Sequence, residues 1–391
     1  MKKLLLISSV CWSFGFQAQT FTAAYQNRVN QITQNNINTY LTEFASFGVK
    51  STGSTNNNNA FNWLKNKYLS FGYSAAQISE NAFTYGGNST KNLILTKTGT
   101  LYPNTYVIVC GHYDTIAGPG VNDNGSGTSI ILEMARILKD VPTDYSIKFI
   151  NFSGEEQGLL GSQNYVNTVV NSTNPKMNIK LVFNIDEVGG IAGQINNTIT
   201  CERDTNNSPS TNNAASNQVT QELMNCVTLY SPLQTNLSYA YASDYMPFQA
   251  NNEIITGFYE YNVSNYPHTA NDTYANMDPV YVYNVAKAAL GATQHFAVAS
   301  TQNLALVDCP PEKMFESLKI YPNPTKDFLN IEMLNNNLRD YTFSITDMNG
   351  KQLLKSENSK KIDVSKLSPG TYFGTLNVEG QTTTRKIIIN K

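Results

Sequence analysis

The stretch Thr105–Lys139, TYVIVCGHYDTIAGPGVNDNGSGTSIILEMARILK, decides the fold of this chain. Its apolar opening, Thr105–Gly111, predicts a buried strand, and the spacing of apolar residues over Gly127–Lys139 predicts an amphipathic helix. The loop between them is rich in glycine, which permits tight turns with positive φ. A strand, a loop and a helix in this order form the repeating unit of an α/β sheet, where functional residues gather beyond the carboxyl ends of the strands.

The same alternation of strand and helix recurs along the first three quarters of the chain. Further strands are predicted over Lys91–Lys97, Ser146–Phe152, Ile179–Ile185 and Ile254–Tyr259. Further helices are predicted over Phe21–Phe47, Asn59–Phe71, Gly158–Val169, Gln218–Leu229 and Pro279–Ser300. Apolar strands alternating with helices predict an α/β fold with a mixed, mainly parallel central sheet that is flanked by helices.

The character of the sequence changes after about residue 301. The segment Asp308–Glu312, DCPPE, resembles a linker, and period-two patterns follow it at Phe328–Ile331, Tyr341–Ile345 and Arg385–Ile389. These patterns predict a small all-β sandwich at the C-terminus. We therefore expect a leader over residues 1–18, a first domain over 19–300, a linker over 301–315 and a second domain over 316–391.

Composition excludes some classes of function. The chain has 391 residues and a formal net charge of −2, so it lacks the basic surplus that binds nucleic acid. Only 14% of the residues are charged, while 41% are hydrophobic, which is enough for two cores. Beyond the leader, no stretch is long and apolar enough to predict a transmembrane helix.

The N-terminus has the pattern of a signal peptide. Lys2 and Lys3 provide the positive region, Leu4–Phe16 is apolar, and Phe16–Ala18 is an imperfect cleavage site before Gln19. The alternative is a lipoprotein anchored through Cys11. Both alternatives predict export from the cytoplasm.

Four cysteines remain after the leader. Cys110 lies in an apolar strand and is expected to be a buried free thiol. Cys201 and Cys226 could form a disulfide in an oxidising compartment, but the sequence does not fix the pairing among these two and Cys309. None of the spacings is typical of a zinc–thiolate site.

The first candidate metal ligand follows the strand of the opening stretch. His112 and Asp114 lie two residues apart, so they share a face of an extended chain. His112 could bind a metal while Asp114 accepts a hydrogen bond from the other ring nitrogen. Asp123 follows in the glycine-rich loop, where Asn124 or Ser126 could cap the next helix.

Further carboxylates follow the next strands. Glu155 and Glu156 come directly after Ser146–Phe152 in a Gly-flanked turn, and their side chains diverge, so one could bind metal while the other accepts a proton. Asp186 follows Ile179–Ile185, and its neighbour Glu187 is expected to support the site from behind or to lie on the surface.

Two of the three histidines belong to this candidate set. His268 follows the last predicted strand and completes it, whereas His295 lies in a predicted helix and is expected to be a surface or packing residue. Imidazole and carboxylate ligands without thiolate fit two divalent metal ions, most typically Zn²⁺. A single structural ion or calcium is the alternative, although calcium prefers ligand shells made only of oxygen.

These residues, in this order, resemble the M28 family of metallo-aminopeptidases, which are co-catalytic zinc exopeptidases. The resemblance runs from about Asn92 to Asp278. The segments that carry it are His112–Thr115, Gly118–Gly127, Gly154–Ser162, Asn184–Asp186, Ser243–Phe248 and His268–Thr269. It implies a secreted aminopeptidase that removes N-terminal residues from peptides.

The resemblance also implies roles for single residues. Asp123 would bridge two zinc ions; His112 and Asp186 would complete one site, and Glu156 and His268 the other. Glu155 would be the general base and later the proton donor, and Asp114 would orient His112. The Asp123–Asn124 peptide bond would be cis. A tyrosine would bind the oxyanion, with Tyr241, Tyr245 and Tyr266 as candidates.

The tail from about Glu316 to Lys391 resembles the C-terminal sorting domain of type IX secretion cargo. Its opening, Lys319–Thr325, and the segments Asp347–Lys351 and Leu367–Tyr372 carry the resemblance. It implies passage through an outer membrane to the cell surface or the medium, with the type IX machinery as a partner.

Three alternatives remain open. A glutaminyl cyclase shares the fold but uses a single zinc ion, and the retention of His112 favours two metals instead. A carboxypeptidase or dipeptidase on a related scaffold is the second. The third is a surface-binding protein that lost catalysis, which would require damage to the ligand set. The preferred N-terminal residue and the oligomeric state are not predicted.

Overall fold

A computed structural model describes residues 19–204, 208–301, 319–332, 341–348, 350–378 and 381–391. The chain divides into two compact units between Gln302 and Asn303, which are described separately below. The expected leader, Cys309 and nearly all of the expected linker lie outside the described residues. Within the described part, no helix is both long and apolar enough to cross a bilayer.

The first unit is built on one sheet of eight strands. In chain order, its strands are β1 (Ile78–Tyr85), β2 (Asn88–Lys97), β3 (Tyr102–His112), β4 (Tyr145–Phe152), β5 (Asn178–Ile185), β6 (Thr198–Arg203), β7 (Gln234–Tyr239) and β8 (Ile255–Glu260). In space they run in the order β1-β2-β4-β3-β5-β8-β6-β7. The central strands β4, β3, β5 and β8 are parallel, while β1, β2 and β6 join them through antiparallel pairings. The mixed, mainly parallel sheet is therefore confirmed.

Eight α-helices accompany this sheet in the described part of the first unit. They are α1 (Ala23–Val29), α2 (Gln34–Ser46), α3 (Thr55–Ser70), α4 (Gly125–Leu138), α5 (Leu160–Tyr165), α6 (Asn213–Tyr230), α7 (Met246–Ala250) and α8 (Pro279–Phe296). Several begin at a residue whose side chain accepts a hydrogen bond from the first turn, as at Thr33, Ser54 and Asp278.

Two predictions about the helices need correction. The single helix expected over Phe21–Phe47 is two helices, because Thr33 has extended backbone and its hydroxyl accepts from the Asn36 amide to start α2. Helix α4 was expected to bury one side, but nearly all of its residues are buried. It contacts α2, α3 and α8 as well as strands of the sheet, so it has no solvent face.

Three strands and one short helix were missed. Strands β1 and β7 lie at the two edges of the sheet and are largely exposed, so they lack the apolar runs that mark the central strands. Strand β6 was not predicted either, and the five-residue helix α7 is too short to show a helical period.

The cysteines depart from one expectation. Cys110, Cys201 and Cys226 are all buried free thiols, which confirms Cys110 and rules out the suggested Cys201–Cys226 disulfide in this structure. Cys201 lies on β6 and Cys226 on α6, which packs against β6. Each fills space in the core as a small apolar residue.

The second unit consists of two antiparallel sheets. Its strands are β9 (Lys319–Tyr321), β10 (Phe328–Glu332), β11 (Tyr341–Thr346), β12 (Gln352–Glu357), β13 (Lys361–Asp363), β14 (Gly370–Val378) and β15 (Gln381–Ile389). One sheet has the order β13-β10-β9 and the other β12-β11-β14-β15. Their apolar residues form one core around Leu329, Phe343 and Ile387. The expected small all-β unit is confirmed.

Candidate metal centre

The candidate ligands lie where neighbouring parallel strands end. His112 is the last residue of β3, the two glutamates follow β4 within a few residues, and Asp186 directly follows β5. Because β3 pairs in parallel with both β4 and β5, these three strand ends lie at one edge of the sheet. Asp123 reaches the same place from the loop before α4.

One group of candidate ligands forms around the Nε2 atom of His112. This atom lies 3.1 Å from Oδ1 of Asp123 and 3.2 Å from Oδ1 of Asp186. All three residues are buried. Ser243 donates a hydrogen bond of 2.6 Å to the other oxygen of Asp186 and thereby fixes which oxygen faces His112.

A second group forms around the Nε2 atom of His268. It lies 3.0 Å from Oδ2 of Asp123 and 2.9 Å from Oε2 of Glu156. The His268 side chain is 56% exposed, so this group opens toward solvent, whereas the His112 group is enclosed. The two oxygens of Asp123 therefore face two separate histidines, and Asp123 belongs to both groups.

The end of the loop before α4 is held by hydrogen bonds of the Asn124 side chain. The Asn124 side chain accepts from the Gly127 amide, which confirms the helix cap, and its amide group donates to the Ile185 carbonyl at the end of β5. The Asp123–Asn124 peptide bond is cis, as the resemblance implied.

Asp272, which was not among the predicted site residues, also supports this loop. Its two carboxylate oxygens accept the backbone amides of Asn122 and Asp123, at 2.7 and 2.9 Å. Asp272 is buried and lies four residues after His268, so one segment contributes a ligand and positions another. The sequence gives no signal for this contact, because Asp272 is far from Asn122 and Asp123 in the chain and meets them only in the folded structure.

Asp114 lies beside His112 as expected, but its carboxylate is not the nearest partner of the imidazole ring. The nearest partner of the His112 Nδ1 atom is the backbone carbonyl of Asp114 at 3.1 Å, while the carboxylate is 3.6 Å away. The carboxylate instead accepts the backbone amides of Glu155 and Glu156, both at 3.3 Å. Asp114 thus orients His112 through its main chain and holds the glutamate turn through its side chain.

The two adjacent glutamates point to different places, as predicted from their diverging side chains. Glu156 joins the His268 group, whereas Oε2 of Glu155 lies 4.0 Å from the His112 Nε2 atom and outside both groups. Burial, together with the carboxylates of Asp186 and Asp244, raises the pKa of Glu155 to about 10. A divalent cation beside it would lower that pKa again.

The ionisation of the candidate ligands is strongly coupled to their surroundings. Burial favours a neutral Asp123, but hydrogen bonds from His112 and His268 outweigh this and lower its pKa to about 2. Its hydrogen bond to Asp123 raises the pKa of His268 to about 9. Burial and the nearby Asp123 raise the pKa of Glu156 to about 8. The site thus concentrates carboxylates that bound cations would stabilise.

The three candidate tyrosines lie in different environments. Tyr245 is fully buried and its hydroxyl donates to Glu202 at 2.6 Å, so it has no surface that could contact a substrate. Tyr241 is 43% exposed, and its hydroxyl donates to Glu187. Tyr266 is partly buried and lies two residues before His268.

Glu187 is buried and directly follows the candidate ligand Asp186. It is only 8% exposed and accepts the hydroxyls of Tyr241 and Tyr259, at 3.1 and 3.3 Å. Two positions were expected for Glu187, and the structure shows the buried one. His295, by contrast, packs against Tyr25 and hydrogen-bonds the Tyr230 hydroxyl, as expected for a packing residue.

The geometry of the two groups fits zinc. Nitrogen and oxygen ligands about 2.0–2.2 Å from a tetrahedral zinc ion lie roughly 3.3–3.6 Å from one another. The histidine–carboxylate contacts of 2.9 to 3.2 Å within the groups are slightly shorter than that spacing. The donor atoms, imidazole nitrogen and carboxylate oxygen, are also those of known catalytic zinc sites.

Comparison with known proteins agrees with this geometry. Residues 92–293, which are 202 of the 391 residues, match peptidase family M28. The chain belongs to this peptidase family. Residues 319–390 match the secretion system C-terminal sorting domain, in agreement with the resemblance of the tail.

The chain matches curated relatives over less than half of their length. The chain is 43% identical over 116 residues to aminopeptidase YwaD of Bacillus subtilis, which covers 29% of this chain and 25% of that protein. It is 31% identical over 195 residues to a probable zinc metalloprotease of Pyrenophora teres, which covers 42% of this chain and 40% of that protein.

Solved structures share the fold. The LapA aminopeptidase of Legionella pneumophila aligns with a TM-score of 0.63 at 22% identity and covers 76% of this chain and 80% of its own. The glutaminyl cyclase of Macrostomum lignano aligns with a TM-score of 0.62 at 14% identity and covers 74% and 97%. The fold alone therefore does not separate a peptidase from a cyclase.

Proposed function

We propose that this member of the M28 family is an exported, two-zinc aminopeptidase that removes N-terminal residues from peptides. The observation that carries the proposal is the position of Asp123, whose two oxygens face two separate histidines. A carboxylate placed between two ligand groups is what a pair of ions about 3.5–4 Å apart requires.

The residues that would hold the two ions follow from the two groups. His112 and Asp186 would hold one ion, Glu156 and His268 the other, and Asp123 both. Bound zinc would lower the pKa of a water molecule toward 7 and polarise the carbonyl of the scissile peptide bond. Ser243 and Asp272 would keep the ligand oxygens in place before any ion arrives.

Glu155 is suited to be the general base. It lies beside the His112 group but outside both ligand sets, so its carboxylate stays free to accept a proton. Asp114 fixes the backbone of the turn that carries it. Glu155 would accept the proton of the attacking water and transfer it to the departing amine, which is the usual cycle of a single acid–base group.

Of the tyrosines proposed to contact the substrate, Tyr241 and Tyr266 remain candidates, while the burial of Tyr245 argues against it. Tyr241 has an exposed ring, and its backbone amide donates to the Tyr245 hydroxyl at 3.0 Å, so its position is fixed from behind. Tyr245 would thus act as a support for Tyr241.

The adjacent glutamates offer a matched test. In Glu155→Gln we expect two zinc ions per chain and a loss of turnover on leucine p-nitroanilide of about 10²- to 10⁴-fold. In Glu156→Gln, which has the same change of charge one residue away, we expect the loss of one ion. Metal content by mass spectrometry and initial rates measure both outcomes. Full activity of Glu155→Gln would refute its role, and equal metal loss in both variants would refute the separation of roles.

Glutaminyl cyclase is the second candidate, since a solved cyclase shares the fold. The presence of His112 beside Asp186 supports two metal ions and hydrolysis instead. A peptide beginning with glutamine separates the two activities, because a peptidase releases free glutamine whereas a cyclase forms pyroglutamate and releases ammonia. Mass spectrometry of the products gives the answer.

The C-terminal match supports export through the type IX machinery to the medium or the cell surface. Removal of residues 316–391 should then leave the protein in the periplasm of a host that has this machinery. Detection of the shortened protein in the culture medium at normal levels would contradict the proposed route.

A further inference from the structure

One carboxylate beside the metal centre is left without a role in the proposed reaction. Glu187 directly follows the candidate ligand Asp186, and both Asp123 and Asp186 act on it electrostatically. It belongs to neither ligand group. The proposed reaction therefore assigns Glu187 no function of its own.

In the described part of the chain, the hydrogen-bond partners of the Glu187 side chain are two tyrosine hydroxyls. Each of its oxygens accepts one tyrosine hydroxyl, from Tyr241 and Tyr259. In the part of the chain that the structure describes, no lysine or arginine is paired with it, and the groups that act on it most strongly are acidic residues and Tyr241. A carboxylate offers about four acceptor positions, so roughly two remain free.

The same two tyrosines provide an aromatic wall. Their rings lie edge to face with centroids 5.2 Å apart, and Tyr241 is partly exposed. The Tyr241 hydroxyl donates to Glu187, which directly follows the candidate ligand Asp186, so the wall stands beside the metal centre. Aromatic faces next to a carboxylate attract flat cations such as guanidinium.

We infer that Glu187, with Tyr241 and Tyr259, binds the cationic side chain of the first residue of the substrate, so that the enzyme prefers N-terminal arginine and then lysine. This inference rests on the proposed aminopeptidase function. The guanidinium would donate to the free acceptor positions of Glu187 while its plane lies on a tyrosine ring. Arginine would exceed lysine because only guanidinium is flat and forked.

The α-amine of the substrate is the other cation that could reach Glu187. The two possibilities differ in their dependence on the side chain. An interaction with the α-amine would raise kcat/KM equally for every substrate. An interaction with the side chain would raise kcat/KM only for substrates that begin with a basic residue.

The test compares p-nitroanilides of arginine, citrulline and leucine. Citrulline has the length and shape of arginine but no charge. With zinc-loaded enzyme we expect kcat/KM for arginine to exceed that for citrulline by on the order of 10- to 100-fold, the usual effect of a charge-assisted hydrogen bond. In Glu187→Gln this ratio should fall close to one. Glu357→Gln, in the second unit, is the control with the same change of net charge.

The other outcomes overturn the inference in distinguishable ways. Equal losses for all three substrates in Glu187→Gln would assign the carboxylate to the α-amine. An unchanged ratio would make it a packing partner of the tyrosines. Should the variant fail to fold, a wild-type arginine-to-citrulline ratio near one overturns the inference alone. A zinc-loaded wild type that cleaves none of the substrates overturns the proposed function as well.

Discussion

The substitution Asp272→Asn tests how the metal centre is positioned, because it alters a residue that touches no proposed ligand side chain. Asp272 accepts two buried backbone amides, of Asn122 and Asp123, and an amide side chain can accept only one of them. Burial raises the pKa of Asp272 to about 6, so it is ionised at pH 8, where the measurement is made. A hydrogen bond to a charged group contributes about 1.5–3 kcal/mol. The loss of one hydrogen bond and the weakening of the other should together lower the free energy of unfolding by about 2–4 kcal/mol.

The effect on metal binding should be shared by both sites. Asp123 belongs to both ligand groups, and loss of a supporting contact typically weakens metal binding about 10- to 100-fold. We expect stepwise zinc titration of the metal-free protein by calorimetry to show both affinities reduced in Asp272→Asn. Ser243→Ala is the matched control, because the candidate ligand that Ser243 contacts, Asp186, belongs to one group, so the substitution should weaken one site. Unchanged affinities in Asp272→Asn, or a loss confined to one site, would refute the reasoning.

Two further predictions concern stability. In Gly127→Ala the new methyl group would clash with the Ile185 carbonyl and the Asn124 side chain. Urea denaturation should therefore show a free energy of unfolding that is lower by about 1–3 kcal/mol. Gly370→Ala, whose new methyl group would make only ordinary contacts, should be tolerated. Equal stability of the two variants would contradict this. Burial lowers the pKa of His295 to about 4, compared with about 6.5 in an unfolded chain. The contribution of the neutral imidazole to the free energy of unfolding is therefore complete above pH 6.5 and is lost as the pH falls toward 4. His295→Gln should therefore flatten the fall in unfolding free energy between pH 6.5 and 4, and parallel curves for variant and wild type would exclude this role.

The sequence was sufficient to predict the parts of the site that depend on strand ends. His112 and Asp186 follow apolar strands, and parallel pairing of those strands necessarily brings their ends together. The division between Glu155 and Glu156 also follows from local geometry, since adjacent side chains diverge. These features need only the type and direction of each element.

The contacts that position the ligands could not be predicted in the same way. Asp272 reaches Asp123 across 149 residues, and Ser243 reaches Asp186 across 57. Neither contact has a periodic signal, because loop conformation alone creates it. The carboxylate of Asp114 shows the same limit: its spacing from His112 suggested an imidazole partner, but the fold places two backbone amides closer. The hydrogen-bond partner of the Tyr245 hydroxyl, Glu202, likewise lies on the unpredicted strand β6.

The central claim is that Asp123 holds two ions at once. Anomalous diffraction at the zinc edge, on crystals of the zinc-loaded protein, tests it most directly. We expect two peaks about 3.5–4 Å apart, one beside His112 and one beside His268, each next to a different oxygen of Asp123. A single peak, or two peaks of which one does not touch Asp123, would contradict the claim.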